Sequence, residues 1–141
     1  MDNIFGEVLY AYSRKQAIED GILVDMTEYK PENENIPMLK QAGFKYPMAF
    51  TRTAYFEAVG LPENYSGIQS ISGRFWDVLM CLYFAIKKGT SGSEIVFSVT
   101  VRQIESGGDD ADESKVIRLK CVLGPGDTPD PVFTVMLPDE D

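Results

Sequence analysis

From Phe75 to Ile86 every residue except Asp77 is apolar or aromatic. Such a run cannot stay in water, and its length decides where it goes. It falls well short of the roughly 20 apolar residues that span a bilayer, so it belongs in a protein core. Ser72 is a good N-cap, Gly89 a good C-cap, and Lys87 and Lys88 sit where a helix dipole favours cations. The pattern predicts a helix over Gly73–Lys88. Apolar residues go all the way round it, so it is expected to be buried on every side.

Strands follow. In Ile95–Val101 the odd positions are Ile95, Phe97, Val99 and Val101, and in Val116–Leu123 they are Ile117, Leu119, Cys121 and Leu123. That period of two marks a sheet with one dry and one wetter face. Between these strands, Glu105–Ser114 (ESGGDDADES) reads as a flexible hairpin loop. The turn GPGDTPDP then leads into a last strand, Val132–Leu137, limited by Pro138, and the DED ending reads as a solvated stop. The economical arrangement is an antiparallel meander over the core helix, with Val132–Leu137 as an edge that could pair across a dimer.

The first half supplies shorter elements. Ser13 and Gln16 have capping-box spacing, and Gly21 closes the short helix they open. Ile22–Met26 (ILVDM) reads as a fourth strand at an edge. Thr27–Pro37 is polar and holds two prolines, so it is a loop and the best candidate for an internal linker. LKQAG is a helical turn ended by Gly43. Thr51 or Thr53 caps a helix carrying Tyr55, Phe56, Ala58 and Val59, which stops at GLPENYSG. The predicted whole is one α+β domain over residues 1–141, with flexible loops near 28–37 and 105–114. An antiparallel three- to four-stranded sheet packs on the central buried helix and at least two shorter helices.

Composition then restricts the chemistry. The chain has no histidine, which removes the Ser-His-Asp and Cys-His nucleophile systems and the commonest metal ligand. Cys81 and Cys121 lie in apolar runs, where they read as buried free thiols, and no usual zinc ligand set can be assembled. No catalytic, metal or cofactor residue is therefore assigned. The net charge is −9, and residues 91–141 carry eleven acids against four bases. An acidic chain is repelled by phosphate backbones, so nucleic acid is disfavoured as a partner. The opening MDNIFGEVLY lacks the basic and long apolar regions of a signal peptide, which points to the cytoplasm.

Five residues are candidates for binding. Arg74 and Asp77 are spaced to meet on one helical face, either as an ion pair at the helix start or as a site beside Trp76 and Tyr83. Arg102, Arg118 and Lys120 fall on the wetter sheet face with Ser98, Thr100 and Thr134, as a solvated face or a patch for an acidic partner. GPGD lacks the lysine and following helix of a phosphate loop.

YSRKQAIEDGILVDMT, AGFKYPMAFT, SGRFWDVL and LGPGDTPDPVFTVMLPDED, in this order, resemble a family of small proteins of unknown function from phages, plasmids and other bacterial mobile elements. The resemblance implies a mobile-element or bacterial cytoplasmic setting and supplies no site residue. Together these readings favour a non-catalytic protein-binding accessory or inhibitor, monomeric or homodimeric, with no membrane association. The alternative is a small enzyme or ligand-binding domain using Arg74 and Asp77.

Overall fold

The computed structural model describes residues 13–89 and 92–140. The opening segment, read above for its lack of a signal peptide, and Asp141 of the DED ending lie outside the described residues.

Among the described residues four helices and five strands follow one another: α1 (Arg14–Glu19), β1 (Leu23–Asp25), α2 (Met38–Gln41), β2 (Met48–Thr51), α3 (Arg52–Ala58), α4 (Ile71–Lys87), β3 (Glu94–Ile104), β4 (Asp110–Pro125) and β5 (Pro131–Met136). The fold class is α+β, as expected. The sheet differs from expectation, being five-stranded and mixed, in the order β1-β2-β5-β4-β3. The β3–β4–β5 meander is antiparallel and β1 lies at an edge, paired with β2. What the sequence pattern hides is β2, which runs parallel to β5 with Met48 opposite Phe133 and Phe50 opposite Val135. Met48, Ala49 and Phe50 are all fully buried. A strand covered on both faces shows no polar alternation to read. Its insertion places β5 between β2 and β4, so Val132–Leu137 is not the free edge anticipated for a dimer. Among the described residues the free edges are β1 and β3.

Local chemistry sets the helix starts. The Ser13 hydroxyl accepts the Gln16 N–H at 3.0 Å, and the Thr51 hydroxyl accepts that of Ala54 at 3.2 Å. For the long helix the cap is Ser70 rather than Ser72: its hydroxyl accepts the Gly73 N–H at 3.0 Å, and the helix begins at Ile71. Phe75, Val78, Leu79 and Leu82, at helical spacing, turn fully into the core. They meet Phe97, Val99 and Val101 of β3, Leu119 and Cys121 of β4, and Val135 of β5. The helix is not buried on every side. Phe84 is 60% exposed and Asp77 is exposed, because among the described residues nothing packs beyond α4 there.

The segments read as loops are also more structured than their composition implies. Tyr29, in the polar stretch after β1, stands edge-on to Phe75 with ring centroids 5.9 Å apart. Within ESGGDDADES, strand β4 already begins at Asp110. In the GPGDTPDP turn, Asp127 accepts the backbone N–H groups of Arg14 at 2.7 Å and Lys15 at 3.0 Å. The ending is not a solvated stop either. The Glu140 carboxylate accepts the Thr51 and Thr53 hydroxyls at 2.7 and 2.8 Å and the Leu137 N–H at 2.8 Å, while Lys120 Nζ donates to its carbonyl at 2.9 Å.

Candidate functional site

At one end of the sheet, the connection from α3 to α4 docks against the β3–β4 hairpin. Gly108 permits this approach. Its φ is +96°, and a Cβ there would run into the Asn64 carbonyl. Ser66 N–H donates to the Gly108 carbonyl at 2.8 Å, and Asn64 Nδ2 donates to that of Ser106 at 3.1 Å. The two segments are thereby fixed along their backbones.

Asp110 is the hub of the junction. Its side chain is 6% exposed. Oδ1 accepts the Tyr65 hydroxyl at 2.5 Å and Gln69 Nε2 at 2.8 Å, and Oδ2 accepts the Ile68 N–H at 3.0 Å. Arg102 Nη1 stands 3.8 Å from Oδ2. The Tyr65 and Gln69 side chains, followed by the Ile68 amide, hold this carboxyl down at about 2, so it is a fixed negative charge at any physiological pH. Burial and the bond to Asp110 push the Tyr65 hydroxyl up, keeping it a neutral donor.

Gln69 carries the network inward. Its Oε1 accepts Arg74 Nη1 at 2.9 Å, and the same Nη1 lies 3.4 Å from the Arg102 carbonyl. Arg74 is 8% exposed, and among the described residues its buried Nε has no hydrogen-bond partner. Burial lowers its pKa from the usual range, and the Asp110 carboxylate opposes that shift. A guanidinium keeps its proton under such shifts.

Of the sequence-read candidates, Arg74, Asp77 and Arg102 line one small cleft of about 200 Å³. Arg74 and Asp77 share it without forming the ion pair their spacing suggests. Arg74 turns toward Gln69 and the Arg102 carbonyl, and Asp77 stays exposed. Arg118 and Lys120 lie elsewhere, on the sheet face away from α4. Arg118 is exposed opposite Ser98, and Lys120 is engaged by the chain ending. The acidic hairpin hid Asp110, and Tyr65 and Gln69 lay in a segment legible only as a turn. Lys115 was missed because it continues the dry parity of Ile117 and Leu119, where a lysine is out of place.

Two larger concavities border β3. One, of about 300 Å³, lies between α3 and the hairpin and is lined by Phe56, Glu57, Arg74, Arg102, Lys115 and Ile117, among others. The second, of about 680 Å³, is a groove between the last turns of α4 and the first half of β3. Its walls include Cys81, Phe84, Ala85, Val96 and Ser98. Among the described residues no group of three or more His, Cys, Asp or Glu side chains could hold a metal, and no helix is long and apolar enough to cross a membrane.

A family model of unknown function, DUF6573, matches residues 1–141. The chain belongs to DUF6573. Comparison with curated proteins gives no match, and comparison with solved structures gives none either. DUF6573 thus brings no reaction to this site, and its chemistry rests on the geometry above.

Proposed function

We propose that this protein is a non-catalytic binding module that takes up an extended segment of a partner protein along the outer edge of β3. The observation that carries this reading is the open edge itself. Ser93 lies opposite Leu123 and accepts its N–H at 2.8 Å, which makes the odd residues of β3 the ones bonded to β4. By the alternation of an antiparallel ladder, the backbone groups of Val96, Ser98 and Thr100 then point away from the sheet. Beside them runs the groove under Phe84, where Val96 is 46% exposed. The devices that blunt an edge are scarce: β3 has no lysine and no proline, and its charges stand only at Glu94 and Arg102. An incoming strand would draw affinity from backbone hydrogen bonds and specificity from side chains reaching Phe84 and Cys81.

The absence of histidine and the acidic charge favour binding over catalysis and protein over nucleic acid. A mobile-element setting, carried by the sequence resemblance alone, makes a bacterial host protein the natural partner and the cytoplasm the natural site.

Ser98→Pro tests the reading, because it deletes an N–H that faces outward and spares the β3–β4 ladder. The variant is expected to fold and melt like the parent and to lose the partner that the parent retains from host lysate. On binding, the Ser98 and Thr100 amides should gain protection from hydrogen exchange. Retention of the same partner by Ser98→Pro, with no protection at those amides, contradicts the edge as the binding surface.

A further inference from the structure

The cleft between α3 and the β3–β4 hairpin is separate from the β3 groove and has a different character. We propose that it binds a phosphate monoester carrying a flat apolar body, a ligand of about mononucleotide size. The charge is the first reason. In a chain of net charge −9, this cleft gathers Arg74, Arg102 and Lys115 against the single acid Glu57. Among the described residues, neither Lys115 nor Glu57 makes an ion pair. Asp110, 3.8 Å from Arg102, offsets one of these charges, and the remaining excess of about one positive charge favours an anionic ligand.

The hydrogen-bond inventory is the second reason. Arg74 is more than nine-tenths buried and its Nε is unpartnered among the described residues. A buried, incompletely paired guanidinium is costly, and an anion in the cleft that Arg74 lines would offset its charge. Arg102 uses Nε on the Ala111 carbonyl at 2.8 Å and Nη1 toward Asp110, which leaves Nη2 for a ligand. The register shift in β3 between Arg102 and Ile104 falls at this point, as irregularities do where a strand re-aims a side chain.

The walls supply the third reason. Phe56 is 57% exposed at the mouth, and Ile104 and Ile117 line the interior. An exposed aromatic ring and cations lining the same cleft suit a flat body joined to an anion. The volume of about 300 Å³ is at the small end for ligand sites, which limits the occupant to one ring system and one phosphate.

The test titrates the full chain with phenyl phosphate and with adenosine monophosphate, followed by amide and arginine Nε–Hε resonances. Inorganic phosphate and phenol serve as the separated halves of the ligand. Saturable shifts centred on Arg102, Lys115 and Phe56 are expected, with each half binding more weakly than the whole. Lys115→Gln should weaken binding by about fivefold, the scale of one exposed charge contact. Phe56→Ala should weaken phenyl phosphate and leave inorganic phosphate unchanged. Both positions are exposed, so these variants keep the fold even if Arg74→Lys disturbs it. Absence of saturable binding at millimolar concentration overturns the proposal, as does binding that ignores Lys115→Gln and Phe56→Ala. Inorganic phosphate binding as tightly as phenyl phosphate overturns it too.

Discussion

The Tyr65 hydroxyl donates to the Asp110 carboxylate at 2.5 Å across a separation of 45 residues. This bond ties the loop ahead of the core helix to the acidic hairpin, and through Gln69 it positions Arg74. The candidate cleft owes its shape to this tie.

Acid should therefore loosen this end of the molecule. The folded-state pKa of Asp110, about 2, lies below the usual aspartate value of 3.8. Its ionised form thus stabilises the fold fully above the usual value, and that contribution is lost as pH falls through the interval down to about 2. Asp110→Asn is expected to be less stable than the parent at pH 7, with the difference closing between about pH 4 and pH 2. Urea midpoints measured across that range check this, and a difference independent of pH contradicts it.

Gly108 and Gly107 make an internal comparison. Gly108→Ala forces a side chain onto a backbone with φ +96° and against the Asn64 carbonyl. It should cost about 1–3 kcal/mol, the range of a strained backbone residue. Gly107→Ala meets nothing within 4 Å and should be nearly neutral. Denaturation curves compare the two, and faster exchange of the Ser66 amide in Gly108→Ala alone would place the damage at the loop junction.

Along α4, position outweighs hydrophobicity. Leu79 is fully buried, so Leu79→Ala should lose about 2–5 kcal/mol, and a charge at Leu79 or Leu82 should prevent folding. Phe84 is exposed on the same helix, and Phe84→Ala should change stability by about 0.5 kcal/mol or less. A soluble, cooperatively melting Leu79→Asp variant would contradict the place of α4 in the core.

The two thiols should differ in reactivity. Burial pushes Cys121 up to about 12, so at pH 8 only about one molecule in ten thousand carries the thiolate. Cys81 is also raised, by burial and then by Asp77, but it is partly exposed beside the β3 groove. Native protein treated with iodoacetamide should be modified at Cys81 first, and urea should make both react. Mass spectrometry reads the order, and early labelling of Cys121 contradicts its burial.

Elements with one wet face were legible before folding was considered. Ile95–Val101 and Val116–Leu123 announce their pairing through alternation, and Ser13, Gly21 and Thr51 mark helix ends through local bonds. Met48–Phe50 could not be read in the same way, because burial on both faces erases the pattern. The error about β5 followed directly, since a missing neighbour left it looking like an edge. Charge misled in the opposite direction. Asp110, Asp127 and Glu140 sit among other acids and read as solvent-facing, yet each closes a long-range contact whose donors are backbone N–H groups or neutral side chains. Such donors carry no charge pattern to announce the pairing. Arg74 was found for its place on a helix, but its neighbours Gln69 and Asp110 come from segments that only the fold brings together.

The parallel pairing of β2 with β5 governs how the chain can be built. Strand β5 is last in sequence and middle in the sheet, so β1 and β2 have no link to β4 and β3 until residues 131–136 have left the ribosome. During synthesis, Met48 and Phe50 must wait with one edge open, exposed to whatever strand arrives first. Shortening the chain ahead of Pro131 would thus split the sheet into a two-stranded ribbon and a hairpin, where loss of an outer strand would merely trim it.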